Sequence, residues 1–570
     1  MGVPGFFVWL QNKYRNRKDK EIIIDNIQRE IDILYLDTNC LIHPQCFKVL
    51  EESEEKIETK ELEEKMIERI IKYIEYLKNI TRTKELYISI DGVAPIPKII
   101  QQRKRRYRSY HYNKRIKEVK EKYNKKKGKE WSNTAITPGT EFMEKLHEKI
   151  IEYINKEEIK IEYSSYHTAG EGEHKILDDI KKKKNKNIVI YGLDADLIFL
   201  ALSSNKRNIY LLREKQYIKK QEKKEKKKEE KGEYYDLEEE MCYICIDELR
   251  RRINEQIYKM IRERIEIEKK DYCDDFIVLS FFLGNDFLPH IPSINIKTRG
   301  LDYILECYVN VYSMIRENMI IRKNKEIEIN EIYLELLIDK LASNENYYFK
   351  KIYPEYKKRI KSRICKEEDE YKKEIWEIEH LKKDEIKDEI KLGKGELNEY
   401  KYRYYEYYFN IEKEIKKEKE KICEEYIKGI IWVYEYYFKG NKENEWYYPY
   451  IVGPFISDVR EYIKKIDIKK IEFKKTELIT PYTQLMIVLP PQQKELLPKE
   501  LHNLMTEIES PLIEYYPLNI KIDYINKDME WKGEPYLPII NINKIRDCIN
   551  NIKIENIKRN IIKKTYINKK

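Results

Sequence analysis

The 570-residue chain is poor in the residues on which several protein classes depend. Its nine cysteines are scattered without a repeating framework, which favours a reducing compartment over a disulfide-stapled secreted domain. No run approaches the roughly 18 apolar residues of a membrane-spanning helix. The N-terminal segment MGVPGFFVWLQNKY lacks a signal-peptide pattern, and Phe6 stands where a myristoylation site requires Ser or Thr. These absences predict a soluble intracellular protein without a membrane partner.

An excess of charge of one sign is also missing. The 113 Lys and Arg residues nearly balance the 103 Asp and Glu residues, so the net charge of +10 is by itself weak support for a polyanionic partner. Hydrophobic residues make up 41% of the chain, which is enough for a substantial core. At roughly 150 residues per domain, this length predicts two to four packed units.

Two sequence features favour structural roles over chemical ones. Cys242 and Cys245 form a lone pair in the run MCYICID, which favours a buried strand over a zinc site because no second pair follows at a metal-binding spacing. Charged blocks at 181–186, 219–231 and about 345–400 are typical of solvated faces or insertions.

Short β-rich runs alternate with helical patterns up to about residue 310. The runs are ILYLD at 33–37, LYISID at 86–91, IVIYGLDADL at 188–197 and FIVLSFFLGND at 276–286. Such alternation predicts an α/β domain with a parallel sheet. In a parallel sheet the carboxyl ends of the strands meet at one edge, where open α/β folds place their sites.

Seven acidic residues lie at the predicted strand ends or in compact turns. They are Asp37, Asp91, Glu171, Glu173, Asp194, Asp196 and Asp286. One such residue alone is more often a helix cap or turn former, and an ion-pair network with His174 and Lys175 is the structural alternative for the set. Converging carboxylates repel one another unless cations neutralise them, and oxygen ligands favour Mg²⁺, with Mn²⁺ as a substitute. Two such ions about 4 Å apart suit in-line attack on a phosphodiester, which predicts a nuclease.

Glycines accompany these acids. Gly170 and Gly172 in GEGEHK allow a tight turn that directs Glu171 and Glu173 to the same edge, and Gly284 serves Asp286 in the same way.

A basic helix is predicted directly after Asp91. Pro95 and Pro97 suit its first turn, and four polar residues then recur at helical spacing, namely Lys98, Gln102, Arg105 and Arg106. Arginine forks and a lysine charge at a helix start predict a pocket for a terminal phosphate. A generic basic run that binds RNA or directs localisation is the alternative.

These motifs resemble those of the eukaryotic 5′→3′ exoribonuclease family, which has cytoplasmic mRNA-decay and nuclear members. The likeness includes LYLDTNCLIH, DGVAPIPKIIQQRKRRYRS, GEGEHK, YGLDADL and GNDFLPHIP, and resumes with YIKGIIWVYEYYFKG, WYYPY and PYTQLMIVLP. The resemblance implies a PIN-like, flap-nuclease-like catalytic domain at 1–310, a charged helical insertion at 311–398, and a mixed α/β second region at 399–570 that closes the pocket. It further implies a processive monomer that degrades single-stranded RNA with a 5′-monophosphate, and favours the cytoplasm over the nucleus.

Site residues follow from matching positions. The seven acids match the family's metal ligands, the four residues of the basic helix match its 5′-phosphate pocket, and His43 and Trp446 match positions that stack on the first bases.

The sequence also departs from the family pattern. Ile96 replaces a residue that is usually basic, and YIVGP after WYYP replaces a His-containing run. Without the long C-terminal β-domains or the Cys/His knuckle of other members, the chain resembles a minimal family core. A flap-type DNA nuclease and a catalytically silent RNA-binding scaffold remain the alternatives, although no Gly-rich helix-hairpin-helix is visible and all seven acids are present.

Overall fold

The computed structural model describes the chain except residues 1–2, 4, 15–21, 55, 126–128, 185, 216–238, 324–325, 412–414, 441–445, 475–476, 564–565 and 570. The charged block at 219–231 therefore lies outside the described residues, as does part of the block at 181–186. The twelve strands of the described chain are β1 (Ile23–Ile24), β2 (Ile33–Asp37), β3 (Glu85–Ser89), β4 (Lys160–Ser164), β5 (Ile188–Tyr191), β6 (Ile209–Glu214), β7 (Met241–Cys245), β8 (Ile320–Lys323), β9 (Glu326–Ile329), β10 (Ile522–Asp523), β11 (Glu534–Pro535) and β12 (Tyr566–Lys569).

Helices make up most of the remaining structure. In the N-terminal half, up to residue 315, they are α1 (Phe6–Tyr14), α2 (Thr38–Glu52), α3 (Thr59–Thr81), α4 (Ile96–Lys122), α5 (Glu141–Lys156), α6 (Gly172–Lys182), α7 (Asp196–Ser203), α8 (Ile246–Arg262), α9 (Cys273–Ser280) and α10 (Gly300–Ile315). Further along the chain are α11 (Glu331–Ser343), α12 (Glu345–Tyr347), α13 (Tyr353–Lys361), α14 (Glu370–Glu379), α15 (Leu397–Phe409), α16 (Ile415–Phe438), α17 (Ile456–Ile463), α18 (Pro481–Val488), α19 (His502–Thr506) and α20 (Ile542–Asn550).

One eight-stranded sheet organises the N-terminal half, in the order β1-β7-β6-β5-β2-β3-β4-β12. Its five central strands, β6-β5-β2-β3-β4, are parallel, which confirms the predicted α/β class. Every residue of β2 and β5 is buried, as expected of strands covered by helices on both faces. Their carboxyl ends consequently lie at the same edge of the sheet.

The sheet edges are antiparallel, which the sequence did not predict. Strand β7 pairs with β6 and β1, and β12 pairs with β4. The run MCYICID supplies β7, so the predicted strand is confirmed, and Cys242 within it is buried. Strand β12 comes from the C-terminal end of the chain, so the sheet is completed by residues distant in sequence.

The predicted strand at 276–286 is wrong. FIVLS belongs to helix α9, and Phe281–Leu283 continue as a 3₁₀ turn. A short, wholly apolar run is compatible with a buried helix or a buried strand, and periodicity cannot separate the two. Here the run is covered on all sides by the larger hydrophobic core, so a helix without a polar face is stable.

The C-terminal half packs against the N-terminal half. Helix α16 contacts α7, and α18 packs along α4. Residues of α7, α9 and α16 share one hydrophobic core. This packing is in line with the predicted fold class of an α/β domain with a second region packed over it, whereas the predicted bounds of that region at 399–570 stay a prediction. In the described part of the chain, no helix has both the length and the apolar character needed to cross a membrane.

Candidate active site

Three parallel strands deliver acidic residues to the same edge of the sheet. Asp37 is the last residue of β2, Asp91 follows β3 by two residues, and Asp194 and Asp196 follow β5. Asp196 is also the first residue of α7, where the helix N-terminus favours a negative charge. Each of these strands is rich in apolar residues and ends at, or a few residues before, its aspartate.

The glycine turn before α6 brings the acids of GEGEHK against this edge. The Gly172 amide donates to Asp91 Oδ1 at 2.6 Å, and a Cβ on Gly172 would lie 3.2 Å from both Asp37 Oδ1 and Asp91 Oδ1. Gly170 has a φ of +104°, which favours glycine. Glu171 and Glu173 begin α6 in consequence, and with His174 they bring their potential ligand atoms within 4.8 Å of one another.

A second strained turn positions Asp286. Gly284 has a φ of +82°, and a Cβ there would lie 2.6 Å from the backbone nitrogen of His290. The Asn285 side chain accepts from the amides of Phe287 and Leu288, each at 2.9 Å, which closes the loop. Asp286 lies in the loop that follows α9 and the 3₁₀ turn, so the site takes residues from the end of a helix as well as from the ends of strands.

Burial and mutual repulsion raise the pKa of four acids in this cluster, whereas the pKa values of Asp194 and Asp286 are lowered in spite of burial, with the charge of Lys98 among the causes. Burial, followed by the charge of Asp91, raises the pKa of Asp37 to about 8. Burial raises the pKa of Asp196 to about 6. The pKa of Asp91 is raised by burial and then by Glu171, and that of Glu173 lies well above its ordinary value because of burial, Asp196 and Glu171. The cluster therefore favours added positive charge.

The donor set fits a hard divalent cation. Asp196 Oδ1 is buried and has no hydrogen-bond partner in the described structure, which leaves an oxygen for a ligand. Six of the seven predicted acids come from the strand edge and the GEGEHK turn. The candidate ligand atoms are carboxylate oxygens, with a ring nitrogen of the adjacent His174 as a further candidate. Such a set favours magnesium or manganese over soft metals.

Lys98 lies among the acids. Its Nζ is 2.7 Å from Glu171 Oε1 and 2.8 Å from Asp286 Oδ2. Burial alone would lower the pKa of Lys98, but the charges of Asp286, Glu171 and Glu173 raise it well above its usual range. In this arrangement Lys98 neutralises carboxylates, and because it also lines the cavity, its predicted contact with a 5′-phosphate stays a prediction.

The next turns of α4 carry Gln102, Arg105 and Arg106, the other residues of the predicted phosphate pocket. Arg106 Nη2 donates to Thr137 Oγ1 at 2.6 Å, while its buried Nη1 has no hydrogen-bond partner among the residues that the structure describes. Burial, followed by repulsion from Arg105, lowers the pKa of Arg106 to about 9. Gln102 Oε1 accepts from Gln484 Nε2 at 3.3 Å. An unpartnered guanidinium nitrogen beside a second arginine is a suitable donor for an anion.

A cavity of about 710 Å³ is lined by both the acidic cluster and the basic-helix residues of α4. Five of the predicted acids and all four basic-helix residues line it: Asp37, Asp91, Glu171, Glu173, Asp194, Lys98, Gln102, Arg105 and Arg106. Asp196 and Asp286 are not on its wall, although Asp286 reaches the cluster through Lys98. The Ile96 side chain is buried at the start of α4, so this departure from the family pattern contributes to packing.

The two predicted stacking residues lie in different environments. His43, on α2, lines the cavity, and burial followed by the charges of Arg105 and Arg106 lowers its pKa to about 4, so its ring is neutral near pH 7. Trp446 is not on the cavity wall. Its ring lies 5.9 Å from that of Trp432, and its Nε1 donates to Glu425 Oε2 at 2.8 Å.

Three residues of the C-terminal half at this site escaped sequence analysis. The Tyr436 hydroxyl donates to Glu171 Oε2, and Tyr437 lies against Asp196. Gln484 links Gln102 to the backbone because its Oε1 accepts from the Ala94 amide at 3.1 Å. The chain has 49 tyrosines, and no local sequence pattern distinguished these two from the rest. Gln484 belongs to the motif PYTQLMIVLP, which carried the resemblance but gave no sign of this contact.

Known proteins share this organisation. A family model described as "XRN 5'-3' exonuclease N-terminus" matches residues 1–215, and one described as "Xrn1 helical domain" matches residues 264–380 and 355–567. The first corresponds to a PIN-like catalytic domain, as the resemblance implied. The two matches together include every predicted site residue.

Curated relatives extend the similarity along almost the whole chain. Human 5'-3' exoribonuclease 1 is 29% identical over 98% of this chain, which spans 35% of the human protein. The Drosophila melanogaster 5'-3' exoribonuclease 2 homolog is 27% identical over 98% of this chain and 72% of its own length. Saccharomyces cerevisiae 5'-3' exoribonuclease 1 is 26% identical over 94% of this chain and 42% of its own length. Taken with the family matches and the acidic edge of the sheet, these similarities show that the chain belongs to the XRN 5'-3' exonuclease family.

Proposed function

We propose that this protein is a processive 5′→3′ exoribonuclease that hydrolyses single-stranded RNA carrying a 5′-monophosphate. One observation carries the proposal: a single cavity is lined both by carboxylates and by the basic residues of α4. The carboxylates suit metal-assisted phosphodiester hydrolysis, and the basic face suits a terminal phosphate. The names of the relatives, which are 5'-3' exoribonucleases, support the same activity.

The basic face accounts for end recognition. Gln102, Arg105 and Arg106 bind the 5′-phosphate, for which the unpartnered Nη1 of Arg106 supplies a donor. A strand that enters with its phosphate against these residues presents its first internucleotide linkage to the acids. The product is then a nucleoside 5′-monophosphate, and the new end carries the phosphate that the next cycle requires.

The acidic edge accounts for hydrolysis. We assign Asp37, Asp91, Glu171, Glu173, Asp194, Asp196 and Asp286 as ligands of two Mg²⁺ ions, for which Mn²⁺ can substitute. Bound metal supplies an activated water and neutralises the charge that develops on the leaving oxygen. Lys98 holds Glu171 and Asp286 at the correct side of the cluster through its two short ion pairs.

Grip on the bases completes the proposal. The neutral ring of His43 on the cavity wall supplies a stacking surface for a first base, and Trp446 supplies another further from the acids. Stacking is tolerant of sequence, which suits an enzyme that degrades RNA without base preference. We propose that the protein acts as a monomer, since both halves of the site come from one chain.

The test is digestion of matched RNA and DNA oligonucleotides, each with a 5′-monophosphate and a 3′ label, in MgCl₂ and in EDTA. The proposal predicts Mg²⁺-dependent release of mononucleotides from RNA, with labelled RNA shortening from its 5′ end. Asp196→Asn should abolish the release, whereas Asp302→Asn, a charge-matched change at a residue paired with Lys13, should not. Preferential cleavage of branched or duplex DNA would favour a flap-type nuclease. Binding without turnover would favour a silent scaffold.

A further inference from the structure

Two adjacent tyrosines on α16 reach the carboxylate cluster from the C-terminal half. Tyr436 and Tyr437 are 0% and 2% exposed. The Tyr436 hydroxyl donates to Glu171 Oε2, and the Tyr437 hydroxyl lies against the Asp196 carboxylate. Because Glu171 precedes α6 and Asp196 begins α7, one helix touches two acids that come from separate segments of the N-terminal half.

Packing fixes the Tyr436 ring in place. It is stacked on Trp432 with ring centroids 4.9 Å apart, and it meets the His174 ring at 3.7 Å and the Phe287 ring at 5.3 Å. These contacts come from three segments: α16 itself, the start of α6, and the loop that carries Asp286. A ring held on three sides has little freedom to move its hydroxyl away from Glu171.

The hydrogen bond from Tyr436 occupies one oxygen of Glu171 and leaves the other oxygen for a further partner. Tyr436 binds Oε2 of Glu171, while the other oxygen, Oε1, lies 2.7 Å from Lys98 Nζ. The two Glu171 oxygens thus have different partners, which fixes the rotation of the carboxylate plane. At Asp196, Oδ1 has no hydrogen-bond partner among the described residues and stays available. Partners of this kind orient metal ligands and commonly affect metal affinity as strongly as a ligand does.

We propose that Tyr436 and Tyr437 are positioning residues of the metal site, which hold Glu171 and Asp196 in the orientation that binds the cation. The metal site is then complete only when α16 is docked on the N-terminal half. This inference rests on the proposed function, because it requires that the carboxylates bind metal.

The test compares Tyr436→Phe, Tyr437→Phe and the matched control Tyr434→Phe. Tyr434 is on the same helix, is 2% exposed, and donates to the Ile327 carbonyl, away from the carboxylates. All three changes remove one buried hydroxyl and keep the ring. The first readout is the rise in melting temperature as MgCl₂ or MnCl₂ is titrated into nucleic-acid-free protein. The second is the metal concentration that gives half-maximal RNA hydrolysis.

The positioning role predicts that Tyr436→Phe and Tyr437→Phe shift both metal midpoints upward by about 10–100-fold. Excess metal should restore most of kcat, which it would not do for a misfolded site. Tyr434→Phe should lower the melting temperature without moving either midpoint. Midpoints in the two test variants equal to that of Tyr434→Phe would overturn the positioning role while leaving the proposed function intact. Absence of any metal-induced shift in the unaltered protein would overturn both.

Discussion

The ammonium group of Lys98 lies 2.8 Å from Oδ2 of Asp286. This ion pair joins the first turn of α4 to the loop after α9, and so joins the predicted phosphate-binding helix to the predicted metal ligands. The same ammonium group is 2.7 Å from Glu171. One lysine therefore offsets part of the repulsion between acids, and the parts of the site proposed for phosphate and for metal are in direct contact.

The first prediction concerns stability and pH. Asp37 has a pKa of about 8 in the folded protein and about 3.9 in an unfolded chain. Between these values the unfolded chain releases its proton more readily, so the free energy of unfolding of metal-free protein should fall as pH rises from about 4 to 8, by up to about 1.4 kcal/mol per pH unit for such a group. Mg²⁺ should therefore raise the melting temperature more at pH 8 than at pH 6.

The measurement is differential scanning fluorimetry in EDTA and in MgCl₂ at both pH values. Asp37→Asn should reduce the difference in Mg²⁺ stabilisation between pH 8 and pH 6, because it removes one of the carboxyl groups whose pKa is raised. Asp275, whose pKa burial raises to about 7, lies with its hydrogen bonds to Tyr308 and to the Met319 and Ile320 amides outside the cluster. It contributes equally with and without metal, so it cancels. Equal Mg²⁺ stabilisation at both pH values would contradict the proposed cluster.

The second prediction separates binding from hydrolysis. Asp196→Asn keeps the shape of the side chain but removes the negative charge of a proposed metal ligand. Single-turnover hydrolysis should therefore slow by at least about 100-fold, in line with the loss of one preorganised stabilising group. RNA affinity, measured by filter binding, should change by less than about threefold, because the metals serve the transition state more than the encounter. A variant that hydrolyses RNA at a near-normal rate in Mg²⁺ would remove Asp196 from the metal site.

The third prediction concerns processivity. His43→Ala and Trp446→Ala each remove an aromatic surface worth about 1–3 kcal/mol per stacked base, so both should shorten the run of nucleotides released per binding event. Product ladders in the presence of a competitor RNA trap measure this. Trp376→Ala is a control, since Trp376 stacks on His380 at 4.0 Å and does not line the cavity. Unchanged run lengths for Trp446→Ala would assign that residue to the packing around Trp432.

The fourth prediction concerns Gln484. Its side chain connects Gln102 with the Ala94 amide, so Gln484→Leu should leave Gln102 less fixed in the proposed phosphate pocket. Loss of a neutral hydrogen bond of about 0.5–1.5 kcal/mol predicts a 3–10-fold lower preference for a 5′-monophosphate over a 5′-hydroxyl. Competition between the two RNAs measures the preference. Gln493→Leu, which removes a bond to Ser132 elsewhere on the wall, should leave it unchanged.

Much of the catalytic sheet was predictable because its signals are local. ILYLD and IVIY are runs that favour strands, and each ends next to an aspartate that the parallel arrangement brings to one edge. The first turn of α4 was similarly predictable, since Pro95 caps it and Pro97 lies within it. These predictions required only neighbouring residues and the geometry of a parallel sheet.

The remaining features depend on contacts between distant segments. FIVLSFF forms a helix because the surrounding core covers all its faces, which no local pattern reveals. Helical spacing predicted that Lys98 shares a face of α4 with Gln102. It could not show that Lys98 forms ion pairs with Glu171 and Asp286. Tyr436 donates its hydrogen bond to Glu171 across a sequence separation of 265 residues. The role of Tyr436 and Tyr437 emerges only when α16 is docked.

The most direct test of the central claim compares initial rates on one RNA sequence with a 5′-monophosphate, a 5′-hydroxyl or a 5′-triphosphate end. The pocket formed by Gln102, Arg105 and Arg106 predicts fast digestion of the monophosphate alone, because a hydroxyl end forms no ion pair with the arginines and a triphosphate adds bulk and charge. Arg106→Gln should remove most of the preference, about 10–100-fold for a charged hydrogen bond of roughly 1.5–3 kcal/mol. Arg115→Gln, on the same helix but paired with Asp384 at 3.1 Å, should retain it. Equal rates on all three ends in the unaltered protein would contradict the account.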